Sequence, residues 1–361
     1  MKAFPFVYHN PKEYWEYFQP KNWLEFLLEE INPTFSLSTV KAKVMEIRSE
    51  SSDSKTIVLR TNRHWKGFVA GQHLPVTVEI AGRRVTRFYS LSSSPSEKYP
   101  TITVKKQKGG LVSNFINERL KVGDVVELGT ASGDFVLEKE VPNKLLFIAG
   151  GSGITPIHSI LKTLQESNYK GQAKLLYFSR FKEDIILFSS FCELESKCPW
   201  LEIKHVLTDV PAEGFDSGFL TKEMLNAFVP DLSERPVYLC GPAPLQNSAK
   251  ELLKGNKVIS ELFLLPNQIQ TNFESTGPKE VVLLQSHKTV LLKGEKSILE
   301  ELEDQGIYPP SGCRMGICHT CSCKKVSGSV TNMQNQSISD GGEENIQLCL
   351  SRADEKLELD L

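Results

Sequence analysis

Four cysteines near the C-terminus constrain this chain more than any other feature. Cys313, Cys318 and Cys321 form a C-x4-C-x2-C run, and the fourth, Cys349, follows at a distance. This is the ligand spacing of a plant-type 2Fe-2S cluster, in which four thiolates hold two irons. Zinc is the alternative, but zinc usually takes cysteines as paired C-x2-C units, and only Cys318 and Cys321 form one. The spacing therefore predicts an iron-sulfur centre.

The remaining cysteines show no metal or disulfide pattern. Cys323 lies two residues after a predicted ligand on a predicted strand, which favours a small buried or partly exposed thiol. Cys192, Cys198 and Cys240 are scattered along the chain and form no disulfide framework.

Length and composition are those of an ordinary globular protein. The 361 residues, 40% hydrophobic and 24% charged, suffice for two or three cores. A formal net charge of -2 argues against a general nucleic-acid binder. The N-terminus has no signal-peptide core, and no stretch approaches a membrane span. We therefore expect a cytoplasmic protein without a transmembrane segment, in a reducing compartment that suits iron-bound thiolates.

The hydrophobic pattern changes along the chain and predicts a multidomain fold. Short alternating strands between about residues 40 and 140 predict an antiparallel barrel. From Lys144, buried strands alternate with helices, as in a parallel α/β sheet. Later, Ser297 and Glu300 form a capping box for a helix that Gly306 closes. The predicted boundaries are a helical extension at 1–36, a barrel at 37–142, an α/β domain at 143–263, a linker at 264–279 and a cluster domain at 280–361.

Two motifs in the barrel could hold a flat, phosphorylated cofactor. Alternation places Arg87, Tyr89 and Leu91 on one face of a strand and Ser90 on the other. These side chains could bind a phosphate, stack on a ring and hydrogen-bond a heteroatom, although such residues are also common surface pairs. Further on, Gly109-Gly110 precedes a helix with Ser113 as its predicted N-cap, which is either an anion site or an ordinary turn.

A glycine-rich turn opens the α/β domain. The run Gly150-Gly151-Ser152-Gly153-Ile154-Thr155-Pro156 follows a buried strand and precedes a helix. Glycines there let the backbone approach a dinucleotide pyrophosphate, and a proline suits the first helical turn. The run departs from G-x-G-x-x-G because proline stands in place of the last glycine.

Taken in order with Cys240-Gly241-Pro242, these motifs resemble the ferredoxin-NADP reductase superfamily. The cysteine run that follows makes the chain similar to the fused reductases that feed bacterial oxygenases and desaturases. This resemblance covers residues from about 37 to 361. It implies a Greek-key β-barrel that binds FAD, an α/β domain that binds NAD(P), and a β-grasp-like α+β ferredoxin domain.

The resemblance also implies roles for individual residues. Tyr89 would stack on the flavin ring, Ser90 would lie near its N5, and Cys240 would lie beside the nicotinamide. The residues implied to act in hydride transfer are Ser90, Thr155 and Cys240. The residues implied to bind or border the flavin are Arg87, Tyr89, Ser90, Leu91, Gly110, Ser113, Glu261 and Phe263. The residues implied to bind the dinucleotide are Gly150, Gly151, Gly153, Thr155, Pro156, Ser179, Arg180, Cys240 and Gly241.

The choice of cofactors follows from smaller signals. An NADH enzyme would favour a carboxylate at the end of the second strand, whereas Ser179 and Arg180 stand there and suit a 2′-phosphate. We therefore favour NADPH, with NADH and a solvated arginine as the alternative. FAD is preferred over FMN. A hydride carries two electrons and a 2Fe-2S cluster accepts one, so a flavin is needed between them.

The electron acceptor is expected to be a separate protein. Nothing in the chain resembles an oxygen-binding haem, a diiron site or a Rieske centre. His158, His205 and His319 are isolated, which favours structural roles; His319, between two predicted cluster ligands, is either a solvent-facing loop residue or one that tunes the cluster potential or meets the partner. An apolar face between Trp23 and Ile31 is predicted to pack on the barrel; its alternative is peripheral docking to a partner or membrane. This extension, the cysteine loop at 313–321 and the domain order together suggest a fatty-acid desaturase among the possible oxygenase and hydroxylase acceptors. A redox-sensing module and a reductase of small quinones or flavins are the rival functions.

Overall fold

The computed structural model describes residues 27, 30–262 and 277–361, apart from 313, 315, 317–319, 334–336 and 340. No helix within these ranges is long and apolar enough to cross a membrane. Of the predicted N-terminal apolar face, only Leu27 and Ile31 are described, and both are exposed, by 51% and 77%. The rest of that predicted face lies outside the described residues.

The first six strands form an antiparallel barrel, as predicted. Its circular order is β1-β2-β5-β4-β3-β6, a Greek key. The sheet closes between β4 and β5, where Leu91 pairs with Ile102 and the Ser92 N–H donates to the Thr101 carbonyl at 2.8 Å. The elements are β1 Val40–Ser51, β2 Ser54–Thr61, β3 His73–Ile80, β4 Arg83–Ser90, β5 Thr101–Lys105, α1 Leu111–Glu118 and β6 Val125–Leu128.

The second sheet is parallel and doubly wound, also as predicted. Its order is β10-β9-β8-β7-β11-β12, so the strand order reverses between β7 and β11. Such a switch point is where open α/β sheets bind ligands. The elements are β7 Lys144–Gly150, α2 Ile154–Glu166, β8 Gln172–Ser179, α3 Phe188–Lys197, β9 Leu201–Leu207, β10 Asp216–Ser217, α4 Lys222–Phe228, β11 Val237–Gly241, α5 Ala243–Leu252 and β12 Val258–Leu262.

Both faces of the parallel sheet are buried, which explains its continuous apolar strands. Along β7, Leu145, Phe147 and Ala149 enter one core and Leu146 and Ile148 the other. Helix α2 packs on the first face, and its N-terminus therefore meets the carboxyl ends of β7 and β11.

The last sheet mixes parallel and antiparallel strands in the order β14-β13-β19-β15-β17, beside a β16-β18 pair. The predicted capping box of Ser297 and Glu300 is confirmed at the start of α6, and Gly306 follows its end at φ +79°. The elements are β13 Lys279–Leu283, β14 Lys288–Leu292, α6 Ile298–Asp304, β15 Ser322–Ser327, β16 Val330–Asn332, β17 Glu344–Gln347, β18 Ser351–Ala353 and β19 Leu357–Leu359.

Candidate functional site

Strand β4 carries the residues implied to hold the flavin. Ser90 ends the strand with only 4% of its surface exposed, and its Oγ has no hydrogen-bond partner among the described residues. A buried hydroxyl without a partner is costly unless a ligand supplies one. Tyr89 is partly buried one residue earlier, and burial raises the pKa of its hydroxyl. Both residues fit a flavin ring and its N5.

Leu91 follows strand β4 directly and belongs to the barrel core. The strand ends at Ser90, and Leu91 is fully buried in the barrel core, where its N–H donates to the Gln72 carbonyl at 3.0 Å. Tyr89 packs against the same core, and the pairing of Leu91 with Ile102 closes the barrel.

The predicted N-cap at Ser113 is wrong. Helix α1 begins at Leu111 with Gly110 as its cap residue, and no side chain caps it. Ser113 is the third helical residue, and its Oγ accepts from the Gln107 N–H at 3.2 Å, which closes the preceding turn. This contact uses a lone pair of the hydroxyl and not its proton, so an anion at this helix could meet the Ser113 O–H as well as backbone N–H groups.

The glycine-rich turn lies at the switch point of the parallel sheet. Gly151–Gly153 form a 3-10 turn between β7 and α2, and Thr155 and Pro156 stand in the first helical turn, as predicted. A Cβ on Gly153 would lie 2.3 Å from the Cys240 carbonyl oxygen, so only glycine allows this approach. The turn is therefore held against Cys240 and Gly241 at the end of β11.

A buried chain of polar side chains joins the barrel to this switch point. In the β3-β4 register, His73 pairs with Ser90. The His73 Nδ1–H donates to Glu261 Oε1 at 2.8 Å, and the other Glu261 oxygen lies 4.0 Å from Cys240 Sγ. Burial, and next the Glu261 carboxylate, raise the pKa of the Cys240 thiol, so this group stays protonated. His73 thus pairs with the predicted residue Ser90 and contacts the predicted residue Glu261, which in turn contacts Cys240.

His73 itself was missed by the sequence reasoning. An isolated histidine in a strand carries no motif, and only the pairing of β3 with β4 reveals its position. Phe263, which was expected to border the same site, lies outside the described residues.

A second contact fixes helix α2 against the loop that follows the flavin strand. His158 is buried; its Nδ1–H donates to the Ser92 carbonyl at 2.6 Å, and its Nε2 accepts from Ser190 Oγ at 2.7 Å. Ser159 Oγ donates to the Ser93 carbonyl at 2.6 Å. His158 is therefore structural, as predicted.

His205 is also structural. Its ring contacts Tyr177, Phe188, Phe191 and Phe215, with centroids 5.4 to 6.4 Å apart. Desolvation in this aromatic cluster lowers the pKa of His205 to about 4. The ring is therefore neutral at physiological pH and packs within this aromatic cluster.

The predicted 2′-phosphate residues lie at the end of β8. Ser179 is buried and Arg180 is exposed. The guanidinium contacts Asp184 Oδ2 through Nη2 at 3.1 Å and Nε at 3.3 Å. Arg180 therefore has an acidic neighbour that the sequence reasoning did not weigh.

The cluster loop is described in part. Cys313, Cys318 and His319 lie outside the described residues, whereas Cys321 and Cys349 are buried with their sulfurs 3.2 Å apart. Two cysteines from distant parts of the chain that converge in this way fit two ligands of one cluster.

The backbone around these thiols is held by specific contacts. Gly316 has φ +77°, and a Cβ there would lie 2.2 Å from Leu350 Cδ1. Gln347 Nε2 donates to the Gly316 carbonyl at 2.8 Å, which ties the loop to the segment that carries Cys349. Cys323 is buried, as predicted, and burial raises its pKa to about 11, which suits a thiol outside the cluster.

Comparisons with known proteins match this geometry domain by domain. Family models match in chain order: an oxidoreductase FAD-binding domain at 41–137, an oxidoreductase NAD-binding domain at 147–251 and a 2Fe-2S iron-sulfur cluster binding domain at 282–354. The structure of phthalate dioxygenase reductase is similar with a TM-score of 0.65 and 27% identity, covering 89% of this chain and 97% of that one.

Two curated relatives cover most of the chain. The glycine betaine monooxygenase reductase subunit of Chromohalobacter salexigens is 30% identical over 303 residues, 76% of this chain and 82% of the relative. An NADPH oxidoreductase of Mycobacterium tuberculosis is 28% identical over 335 residues, 91% and 86% of the two chains. This chain belongs to the fused reductases of the ferredoxin-NADP reductase superfamily. It is a flavin and iron-sulfur oxidoreductase that uses FAD, a nicotinamide dinucleotide and a 2Fe-2S cluster.

Proposed function

We propose that this protein takes electrons from NADPH and delivers them, through its flavin and its cluster, to a separate oxygen-activating protein. The observation that carries the proposal is the buried Ser90 hydroxyl without a protein partner, on a strand paired with His73 beside Glu261 and Cys240. The flavin strand and the switch point of the nucleotide sheet therefore face one site.

The side chains of this site would bind and orient the two rings. Ser90 Oγ would meet the flavin N5, with Tyr89 against the ring and Arg87 toward its phosphates. The Gly150–Gly153 turn would receive the dinucleotide pyrophosphate at the N-terminus of α2. Thr155, whose Oγ1 donates to the Ser152 carbonyl at 3.0 Å, holds that turn in place. Bound FAD supplies the conversion of a two-electron hydride into single electrons.

The protein residues bury the polar groups of this site away from water. Cys240 is fully buried as a thiol. One Glu261 oxygen, Oε1, accepts from His73, and the other, Oε2, lies near the Cys240 sulfur. Exclusion of water strengthens the few polar contacts that position the rings. Cys321 and Cys349 would supply two of the four cluster ligands, with Cys313 and Cys318 as the others.

NADPH is proposed over NADH because Arg180 stands where a 2′-phosphate would lie and no carboxylate ends β8. The family includes relatives named as NADPH oxidoreductase and as NADH oxidoreductase, so the residues of this chain decide the proposal. Arg180→Ala should raise the KM for NADPH about tenfold and leave the KM for NADH unchanged.

The acceptor is proposed to be an oxygenase or hydroxylase component. Several relatives are named as reductase components of monooxygenases, for glycine betaine and for 3-ketosteroids. A fatty-acid desaturase and peripheral contact with a membrane-bound partner stay predictions, because the N-terminal residues that suggested them are largely outside the described ranges. A reducing, cytoplasmic location is proposed for the four cluster thiolates.

The test is anaerobic mixing of the purified protein, loaded with both cofactors, with NADPH. We expect rapid loss of oxidised flavin absorbance, followed by the electron paramagnetic resonance signal of a reduced 2Fe-2S cluster and steady reduction of cytochrome c. Ser90→Ala should slow flavin reduction about tenfold or more. A loaded protein whose flavin stays oxidised under NADPH and NADH would refute the proposal.

A further inference from the structure

A buried carboxylate links Arg180 to the barrel. Asp184 has a side chain only 11% exposed, and its Oδ2 lies 3.1 Å from Arg180 Nη2 and 3.2 Å from Lys105 Nζ. Lys105 ends strand β5 of the barrel, and its Nζ is also 3.4 Å from Asp53 Oδ2. One carboxylate oxygen is thus shared by two cations, Lys105 at the end of barrel strand β5 and Arg180 just after strand β8 of the parallel sheet.

The charges around Arg180 decide how strongly it can attract an anion. Asp184 offsets the charge of the guanidinium and would repel a phosphate that approaches it. The positive charge of Lys105 partly offsets the negative charge of Asp184, and Lys105 also forms an ion pair with Asp53. Because the Arg180 side chain is 58% exposed, it can turn toward a ligand while Asp184 and Lys105 stay in place.

We propose that the Asp184–Lys105 pair sets the preference of this enzyme for a 2′-phosphorylated dinucleotide, by controlling how much of the Arg180 charge is available. This inference rests on the proposed role of Arg180. It predicts effects of opposite sign: loss of the Asp184 charge strengthens 2′-phosphate binding, and loss of the Lys105 charge weakens it. A merely structural role would give weaker binding in both cases.

The test is calorimetric binding of 2′,5′-ADP and of 5′-AMP to the FAD-loaded, cluster-loaded protein. Asp184→Asn keeps the shape of the side chain and should tighten 2′,5′-ADP about threefold, the scale of one partly exposed ion pair. Lys105→Met keeps the apolar stem and should weaken it about threefold. Neither variant should change 5′-AMP binding, which lacks the 2′-phosphate.

Lys106→Met is the matched control. Lys106 is the next residue of the same segment, and it pairs with Glu118 at 2.5 Å, away from Arg180. This variant should bind both ligands as the wild type does. If Lys106→Met weakened 2′,5′-ADP as much as Lys105→Met, long-range charge would explain the effect and the inference would be overturned.

Arg180→Ala separates this inference from the proposed NADPH preference. A wild type that binds 2′,5′-ADP no better than 5′-AMP would defeat both. If tighter binding of 2′,5′-ADP than of 5′-AMP is lost in Arg180→Ala but unchanged in Asp184→Asn and Lys105→Met, only the inference is overturned. Opposite shifts in the two variants support it.

Discussion

Cys321 and Cys323 have different surroundings because Cys321 ends the cluster loop, whereas Cys323 lies on strand β15. The sulfurs of Cys321 and Cys349 lie 3.2 Å apart. Cys323, two residues after Cys321 and buried on β15, is not one of the predicted ligands. The spacing of the ligands, rather than the number of cysteines, therefore selects the cluster set.

Exchange of Cys349 should uncouple the two redox centres. In Cys349→Ser we expect loss of the cluster and of NADPH-driven cytochrome c reduction, with ferricyanide reduction by the flavin retained. Iron and acid-labile sulfide analysis measures the first effect. Cys323→Ser is the matched control and should keep full iron content; a control that also lost its iron would place Cys323 among the ligands.

Removal of His73 should loosen the hydride site. His73→Leu leaves the buried Glu261 carboxylate without its donor, a cost of about 1–3 kcal/mol. We expect thermal release of flavin fluorescence at a lower temperature and a lower rate of flavin reduction. His73→Asn keeps an N–H donor at the position of Nδ1 and should restore most of both; equal behaviour of the two variants would argue against the hydrogen bond.

At the scale of elements, helix α2 couples the dinucleotide turn to the flavin strand. Its first turn follows Gly153, and His158 and Ser159 bind the carbonyls of Ser92 and Ser93 just after strand β4. Because the acceptors are main-chain carbonyls, these hydrogen bonds require no particular side chain in the loop after β4. The helix can therefore hold both sites in register through its own side chains.

The stability that this contact provides should decrease in acid. Desolvation lowers the pKa of His158 to about 4, against 6.5 in the unfolded chain. Its stabilising effect is therefore complete above pH 6.5 and decreases as the pH falls toward 4, because only the unfolded state takes up the proton. In denaturant unfolding between pH 7 and pH 4.5, His158→Gln should show a shallower loss of stability than wild type, with the contribution of His205 retained. An unchanged pH dependence would contradict the burial of a neutral ring.

At the scale of the whole molecule, a contact between Arg83 and Tyr308 joins the barrel to the cluster domain. Arg83 Nη1 donates to Tyr308 Oη at 2.9 Å, and its guanidinium lies 4.6 Å from the centre of the same ring. Arg83 opens the strand that ends at Ser90, and Tyr308 shortly precedes the cluster loop. The contact thus lies between the two electron-carrying domains.

Loss of this contact should slow only the second electron step. Because both side chains are exposed, we expect Tyr308→Ala to reduce the rate of cluster reduction about threefold, with flavin reduction unchanged. Stopped-flow absorbance resolves the two phases in one experiment. Tyr308→Phe keeps the ring for the guanidinium and should lie between Ala and wild type; a change in the first phase would contradict the assignment.

The domain series and the cofactors were predictable from sequence, because they depend on local patterns. Strand alternation, the glycine turn before α2, the Ser297–Glu300 capping box and the cysteine spacing are each set within a few residues. The prediction that Ser113 caps its helix was wrong because the cap residue depends on where the helix begins. Helix ends are set by the sequence only to within a few residues, and here the helix begins at Leu111, which places Ser113 inside it.

Only the tertiary structure decided how the sites are connected. His73 with Glu261, Lys105 with Asp184 and Arg83 with Tyr308 are separated by 188, 79 and 225 residues, and no pattern along the chain relates them. Their proximity depends on strand register and on how the sheets face one another. Sequence by itself thus determined which chemical groups this protein carries, because ligand spacing and periodicity are local. The fold decided which groups face each other, because electrostatic and hydrogen-bond energies depend on distance in space.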